Sequence, residues 1–452
     1  MKRFSSMGLA VLGLTFTSAA LATSPATSGA KPVSQLRLCV TYTNASVMRA
    51  DGSLVTGRHL TIGSDGTIVH LDVKPGLAPP GCKVTTHTTP VVITPGLVET
   101  TSSIGLVEIW LEDAPNDASA VKDDQGPLPF RASYRAFDAF NPRSTLIPIA
   151  RAEGISHVVT VPRGGLISGQ APAMRLRGRL QADAAVSQSA AMVARLGGAK
   201  GSRAFRLQAL TNLLDEARRY LGAKGKKGDR ALPAPVGVAG HRGTPQSYYT
   251  NLEALEGVLT AKQPLLVFAD RASDLEALLR LKKRFGIRLV IAGAAEGWLV
   301  AGELAAAKVP VIIDPTRYRP GSFDQLHARV DNASRLHKAG VPIIIGTFST
   351  HDARRLRQWA GNAVRGGLPA PVARRAITTT PAEFFGLPVN QLKQGGVANL
   401  AIWDGDPLEP RSSLRSLWID GVPARLDTRH KQLLRRYLRS PQQRGLKTHK
   451  LP

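Results

Sequence analysis

The sequence of 452 residues contains few cysteines, few aromatic residues and, beyond its first residues, no long apolar run. Two cysteines, Cys39 and Cys82, are too few for a disulfide-rich scaffold or a cysteine-based zinc site. Phe, Trp and Tyr make up 5% of the chain, and no basic patch is interleaved with them as in many nucleic-acid-binding proteins. No later segment reaches the roughly 18 apolar residues of a membrane span, so we predict no transmembrane helix.

Acidic residues are also scarce, since 33 Asp and Glu face 59 Lys and Arg, for a formal net charge of +26. A charge of this size favours anionic surfaces and polyanions. The arginines are spread along many predicted helices, which is typical of a solvated basic surface. Contact with an anionic envelope surface is the second interpretation, and the absence of a nucleic-acid-binding motif predicts that nucleic acid is not a partner.

The first residues resemble a secretory signal. Lys2 and Arg3 precede a short apolar stretch, Met7 to Ala22, that ends in the A-x-A sequence Ala20-Leu21-Ala22. We predict a signal peptide over 1–22 and a linker over 23–32, and therefore a soluble exported protein, periplasmic or extracellular; a retained membrane anchor is the alternative. Export permits a disulfide between the two cysteines, but two buried thiols fit the sequence equally well.

The pattern of apolar residues changes twice along the chain. Short alternating segments from Leu36 to Leu71 predict antiparallel strands. From Val91 onwards, apolar runs alternate with helical stretches, which indicates a parallel sheet or barrel. The predicted elements include strands over Val91–Val98 and Leu265–Ala269 and helices over Ser273–Phe285 and Ser322–Lys338. The alternating pattern returns near Ala398, so we expect the two terminal regions to pair in one small sheet with the barrel inserted between them.

Three motifs resemble the amidohydrolase superfamily, and most closely its exported imidazolonepropionase-like branch. Thr94–Glu99 (TPGLVE) resembles the opening P-G-L-[IV]-[DE]-x-H-x-H motif. Ala376–Leu387 (AITTTPAEFFGL) resembles a helix of the family, and Gly396–Leu408 (GVANLAIWDGDPL) resembles its closing strand pair. Phe140–Ser144 and Arg354–Arg357 also resemble that branch.

This resemblance implies an α/β fold, a (β/α)8 TIM barrel inserted in a small β-sandwich domain formed by both termini. It implies hydrolysis of non-peptide C–N bonds, often in cyclic amides, by a water activated on Zn²⁺ or Fe²⁺ at the carboxyl ends of the barrel strands. The expected division of the mature chain, with the β-sandwich in two parts, is 33–90 and 391–426 for the β-sandwich, 91–390 for the barrel and 427–452 for a basic tail.

The metal ligands of the family are replaced at every position to which the motifs lead. The H-x-H pair becomes two hydroxyl residues on the same face of an extended segment. The family segments H-A-H-R, L-V-I-E-H-G-T-E and G-T-D-S resemble FADR (268–271), LVIAGAAE (289–296) and GTFS (346–349), so the later ligands become two phenylalanines and a glycine. Neutral hydroxyls and rings are poor ligands for Zn²⁺ or Fe²⁺. We therefore expect no metal and no other cofactor. The five replaced positions are Thr101, Ser103, Phe268, Gly293 and Phe348.

Two carboxylates, Glu99 and Asp270, have the strand parity of the replaced ligands and are predicted to face the mouth. In a partly apolar cavity they could have raised pKa values and perform acid–base chemistry without metal; alternatively, each only bonds a neighbouring group. Arg163, followed by Gly164 and Gly165, is a weak signal for anion binding. Of the histidines, His157 is predicted to begin a strand and lie away from the mouth, and His351 to border it.

Three functions follow as hypotheses. The first is a non-catalytic homologue, a pseudoenzyme that stabilises or regulates an active amidohydrolase relative. The second is a metal-free hydrolase that uses Asp270 and Glu99. The third is a binding module for a small molecule or an anionic envelope component, supported by a charge of +24 once Lys2 and Arg3 are removed.

Overall fold

The computed structural model describes residues 39–72, 82–85, 90–119, 130–197, 202–223, 245–389 and 392–438. The predicted signal peptide and linker, and the last residues of the predicted basic tail, lie outside the described residues. The strands, in chain order, are β1 (Val40–Met48), β2 (Leu54–Ile62), β3 (Ile68–Asp72), β4 (Lys83–Thr85), β5 (Val91–Pro95), β6 (Leu97–Glu99), β7 (Ile155–Val159), β8 (Ile167–Arg175), β9 (Ala185–Arg195), β10 (Leu265–Ala269), β11 (Leu289–Gly293), β12 (Val311–Ile313), β13 (Ile343–Ile345), β14 (Leu400–Trp403), β15 (Leu414–Ile419) and β16 (Val422–Pro423).

The helices pack mainly around the second of two sheets. In chain order they are α1 (Leu146–Ala152), α2 (Gln181–Ala184), α3 (Arg203–Ala223), α4 (Pro245–Glu253), α5 (Glu256–Leu259), α6 (Ala272–Phe285), α7 (Ala301–Ala306), α8 (Asn332–Lys338), α9 (Leu356–Arg365), α10 (Ala370–Ala376), α11 (Thr379–Phe385) and α12 (Arg429–Leu438). Short 3₁₀ helices cover Ala136–Ala139, Gly297–Val300, Phe323–Gln325 and Ala353–Arg355. Among the described residues, none of the helices combines the length and the apolar character that a membrane span requires.

The first sheet joins the two ends of the described chain, as predicted. Its strand order is β16-β15-β14-β5-β1-β2-β3, with β4 paired to β1. The late strand β14 runs antiparallel to the early strand β5, so that Ile402 pairs with Ile93. Cys39 and Cys82 form a disulfide with a Cα–Cα distance of 4.5 Å, which ties the start of β1 to the start of β4. The sequence had left this pairing open.

The second sheet contains eight strands in consecutive order from β6 to β13 and curls into a nearly closed barrel. Seven strands are parallel, and β8 runs antiparallel to both of its neighbours. The predicted α/β class and barrel are thus confirmed, with one hairpin in place of a β-α-β unit. Apolar side chains such as Leu266 and Ile344 fill the barrel, and a larger core lies between the barrel and its helices.

Three sequence assignments differ from the structure. The strand predicted over Val91–Val98 divides at Gly96, so β5 belongs to the first sheet and β6 to the barrel. A single helix expected over Ser322–Lys338 is instead a 3₁₀ turn followed by α8. The β8–β9 hairpin was not predicted, since Gly169 and Pro172 interrupt the apolar alternation that identifies a strand.

Candidate functional site at the barrel mouth

The carboxyl ends of the barrel strands surround a cavity of about 290 Å³. The five positions at which the sequence predicts replaced metal ligands all lie at these ends. Thr101 and Ser103 follow β6, Phe268 and Gly293 lie at the ends of β10 and β11, and Phe348 follows β13. All except Ser103 line the cavity.

The barrel closes between β6 and β13 through a group of hydrogen bonds that we call the closing seam, formed by Glu99, Thr101, Thr347 and Phe348. The Thr101 hydroxyl donates to Glu99 Oε1 at 2.7 Å and accepts the Phe348 N–H at 2.9 Å. Glu99 also accepts the backbone N–H of Thr101 at 2.8 Å and that of Thr347 at 3.2 Å. The Thr101 oxygen is therefore engaged by the protein itself.

Gly346 makes this seam possible. A Cβ atom at this position would lie 2.5 Å from Thr101 Oγ1, so any larger residue would push the two strand ends apart. Phe348 then adopts a left-handed backbone conformation, with φ of +53°, which is uncommon for a residue with a bulky side chain. The seam holds this strained residue in place.

Ser103 is also committed to the protein. Its hydroxyl donates to the Val161 carbonyl at 2.8 Å, and its backbone N–H donates to Thr350 Oγ1 at 3.0 Å. Ser103 is fully buried. The residue therefore links β6 to the loop after β7 and presents no atom to the cavity.

The two phenylalanines form part of the cavity wall. Their rings meet edge to face with centroids 5.9 Å apart. The guanidinium carbon of Arg195 lies 3.9 Å from the centroid of the Phe268 ring, and that of Arg317 lies 5.2 Å from the centroid of Phe348. Two positions that hold metal ligands in the family motif thus support arginine side chains here.

Gly293, another of the five positions, has little space around its Cα atom. It has a φ of +107°, and a Cβ atom would lie 2.5 Å from Asp270 Oδ1. Asp270 is held there by the Gln325 amide at 2.9 Å and by the backbone N–H of Ala295 at 3.2 Å. Side chains longer than glycine, histidine included, do not fit this position without displacing Asp270.

These residues do not fit a divalent metal. The Thr101 hydroxyl is hydrogen-bonded within the seam, and the Ser103 hydroxyl donates to a carbonyl. The remaining positions carry two phenylalanine rings and a glycine, none of which offers a ligand atom. Among the described residues, no group of three or more His, Cys, Asp or Glu side chains is arranged to hold a metal ion.

The two predicted carboxylates occupy different environments. Asp270 lines the cavity, and burial raises its pKa while the Gln325 amide lowers it. Glu99 has no exposed surface and lies behind Thr101. Burial raises the pKa of Glu99 to about 7, and its hydrogen bonds from Thr101 and Thr347 act in the opposite direction. Only Asp270 is placed to contact a molecule in the cavity.

Three arginines line the same cavity and form what we call the arginine cluster: Arg163 after β7, Arg195 at the end of β9, and Arg317 after β12. The sequence signalled only Arg163, through the two glycines that follow it. Arg195 was missed because its strand belongs to the unpredicted hairpin. Arg317 had no local signal, since Arg is frequent throughout this chain.

None of the histidines in the described part of the chain lines the cavity. His157 is the third residue of β7, not its first as predicted, and it is fully buried. Burial and then the charge of Arg175 lower the pKa of His157 to about 3, so the ring is neutral. His351 is exposed and bonds the Glu108 carbonyl at 3.0 Å. Neither side chain takes part in the cavity wall.

The chain is similar to several amidohydrolases. A solved amidohydrolase from Thermotoga maritima superposes with a TM-score of 0.73 at 22% identity, over 85% of this chain and 99% of that one. A solved molinate hydrolase superposes with a TM-score of 0.52 at 15% identity, over 92% and 99%. These likenesses concern the fold.

The sequence comparisons cover less of the chain. A stretch of 99 residues, 20% of this chain, is 36% identical to the amidohydrolase tasK of Hapsidospora irregularis and spans only 10% of that protein. No family model matches the sequence. The superpositions and the motifs at both ends of the barrel agree, and the resemblance seen in the sequence is confirmed at this level: the chain has the fold of the amidohydrolase superfamily.

Proposed function

We propose that this protein is an amidohydrolase homologue that does not perform the metal-dependent hydrolysis of its superfamily and acts instead through binding. The observation that carries the proposal is the chemistry and the hydrogen bonding of the side chains at the five positions predicted to replace metal ligands. Their side chains are bonded within the protein, aromatic or absent, so these five positions supply no donor set that could activate water on a metal.

Elemental analysis and a hydrolysis assay on the purified chain test this proposal together. After equilibration with Zn²⁺ and removal of the excess, we expect far less than one metal ion per chain, whereas a working site would hold about one. We also expect no hydrolysis of cyclic amides above a blank treated with chelator. A stoichiometric metal with chelator-sensitive turnover would contradict the proposal.

A metal-free hydrolase is the second candidate, because Asp270 lines the cavity and burial raises its pKa. A carboxylate with a raised pKa can act as a general base near neutral pH. Glu99, the other candidate catalytic residue, would contribute only through Thr101. If hydrolysis of a C–N bond is found without metal, Asp270→Asn should abolish it; unchanged turnover in that variant would exclude this mechanism.

We propose further that the protein is exported to the periplasm or the cell exterior after cleavage of residues 1–22. The support is the charged and apolar start of the sequence and the Cys39–Cys82 disulfide, which forms readily in oxidising compartments. An active amidohydrolase relative is the proposed partner. N-terminal sequencing of the protein from fractionated cells, and co-purification under mild conditions, test these two points.

A further inference from the structure

We propose that the arginine cluster binds a small organic dianion in the cavity, one that carries a phosphate group or two carboxylates. The inference deepens the proposed function and rests on it, because it names the ligand of a mouth that acts through binding. Three cationic side chains from three separate strand ends converge on one cavity of about 290 Å³, a size suited to a small ligand.

The first argument is that two of these cations have unused hydrogen-bonding capacity. The Nε atoms of Arg163 and Arg195 are buried and have no hydrogen-bond partner. Arg195 donates one bond, from Nη2 to the Pro162 carbonyl at 3.3 Å. Among the described residues, neither Arg163 nor Arg195 forms a salt bridge. Seven described arginines have an Nε atom of this kind, and of these only Arg163 and Arg195 line the cavity, where a ligand could complete the donor.

The second argument concerns charge. Burial, and then the charge of Arg163, lower the pKa of Arg195 to about 9. Burial and the charge of Arg317 lower the pKa of Arg163 in the same way. The neighbouring charges that act on both groups are thus repulsive. An anion between the two guanidinium groups would relieve this repulsion.

The acidic side chains that line the cavity, Asp270 and Asp324, and the nearby Asp314 have partners other than Arg163 and Arg195. Asp314 pairs with Arg317 at 3.0 Å, and Asp324 pairs with Arg203. Asp270 is bonded to Gln325. Among the described residues, neither Arg163 nor Arg195 forms a salt bridge with any of these carboxylates, so both guanidinium groups keep their charge for an anionic ligand.

The third argument is that the guanidinium planes are held in advance. Arg195 lies over Phe268 at 3.9 Å, and Arg163 lies over the Trp110 ring at 4.3 Å. Stacking on a ring restrains the planar group and leaves its N–H edge free for bidentate contact with a carboxylate or phosphate. The phenylalanine that replaced a metal ligand thus orients an anion-binding arginine.

Isothermal titration calorimetry of the full chain at constant ionic strength tests the proposal with four probes: inorganic phosphate, succinate, acetate and glycerol. We expect saturable binding of phosphate or succinate at one site per chain, weaker binding of acetate and none of glycerol. Binding of phosphate alone assigns phosphate-bearing ligands, and binding of succinate alone assigns dicarboxylates. If neither dianion binds saturably, the proposal is wrong.

Substitutions locate the site. Arg163→Gln and Arg195→Gln should each weaken binding about tenfold or more, as expected for the loss of a hydrogen bond to a charged group. The control is Arg365→Gln on α9, which removes the same charge from an exposed position outside the cavity. Equal weakening by all three substitutions would show only a general charge effect and would overturn the proposal.

Two further measurements keep the test decisive. Arg163→Lys and Arg195→Lys preserve the charge but not the planar fork, so intermediate affinities are expected even if a glutamine variant fails to fold. Metal content and hydrolysis are measured on the same samples. A metal-loaded, hydrolytic protein would refute the proposed function, whereas a metal-free and inactive protein that binds neither dianion would refute only this inference.

Discussion

At the barrel mouth, the closing seam and the arginine cluster border the same cavity but differ in how their polar atoms are partnered. In the seam, the Glu99 carboxylate and the Thr101 hydroxyl satisfy each other and the backbone of the opposite strand end. In the arginine cluster, buried Nε atoms of Arg163 and Arg195 have no partner. A satisfied buried network stabilises a fold, whereas unsatisfied charge in a cavity is typical of a site kept for a ligand.

The largest effect is expected from breaking the seam. Glu99→Ala removes the acceptor of two backbone N–H groups and one hydroxyl and leaves a small void. We expect a loss of about 4 kcal/mol in the free energy of unfolding, measured by urea denaturation. Glu112→Ala, at an exposed position, is the control and should change stability by less than about 0.5 kcal/mol. A comparable small loss for Glu99→Ala would mean that the seam does not hold the barrel closed.

The second largest expected effect is a pH dependence of stability that the Glu99 carboxyl of the seam causes. The folded protein keeps the Glu99 proton up to about pH 7, and the unfolded carboxyl releases it near 4.5. The contribution of Glu99 to stability is therefore complete below pH 4.5 and falls as the pH rises towards 7, by roughly 3 kcal/mol.

The burial of His157 changes stability with pH in the opposite direction and would partly offset the pH dependence caused by Glu99. Its pKa is lowered from 6.5 to about 3 on folding, so its contribution is complete above pH 6.5 and is lost as the pH falls towards 3. The informative quantity is the difference between the wild type and Glu99→Gln, from urea denaturation at pH values from 4.5 to 8. Parallel curves for the two proteins would contradict the raised pKa of Glu99.

A third prediction concerns Gly293, which lines the cavity that the seam and the arginine cluster border. Gly293→Ala should destabilise the fold by about 2 kcal/mol, because the φ of +107° and the contact with Asp270 both oppose a Cβ atom. The control is Gly222→Ala in α3, where a Cβ atom meets nothing within 4 Å; it should leave stability unchanged or raise it. Thermal unfolding of both variants measures the difference, and equal melting temperatures would contradict the prediction.

The smallest expected effect is a gain in stability, whereas the preceding substitutions cause a loss. It tests directly whether the arginine cluster, unlike the seam, is unnecessary for the fold. Arg195→Met should raise the free energy of unfolding by about 1 kcal/mol, because an apolar chain of similar length removes a partly buried charge next to Arg163. Arg365→Met, outside the cavity, is the control and should leave stability within about 0.5 kcal/mol. A clear loss of stability in Arg195→Met would show that this arginine serves the fold rather than a ligand.

Most of the fold could be predicted from the sequence, because the patterns that identify strands and helices are local. The strand Leu265–Ala269 was predicted at its observed bounds, and the helix ending at Phe285 was displaced by one residue at its start. Of the five positions at which the sequence predicts replaced ligands, four line the cavity. The hairpin β8–β9 was not predicted, because its glycine and proline residues obscure the alternation of apolar residues that identifies a strand. Arg195, at the end of β9, was missed for the same reason.

The sequence by itself was enough to predict the barrel and the pairing of the terminal strands, and it also predicts that the metal ligands are replaced, since each of these depends on residue type and on spacing along one segment. Only the tertiary structure decided that Glu99 is sealed in the seam while Asp270 faces the cavity, although both share the parity of the ligand positions. It also brought together Arg163, Arg195 and Arg317, which lie more than a hundred residues apart between first and last. Such a cluster leaves no local pattern, because the curvature of the sheet and not the order of residues sets which strand ends meet.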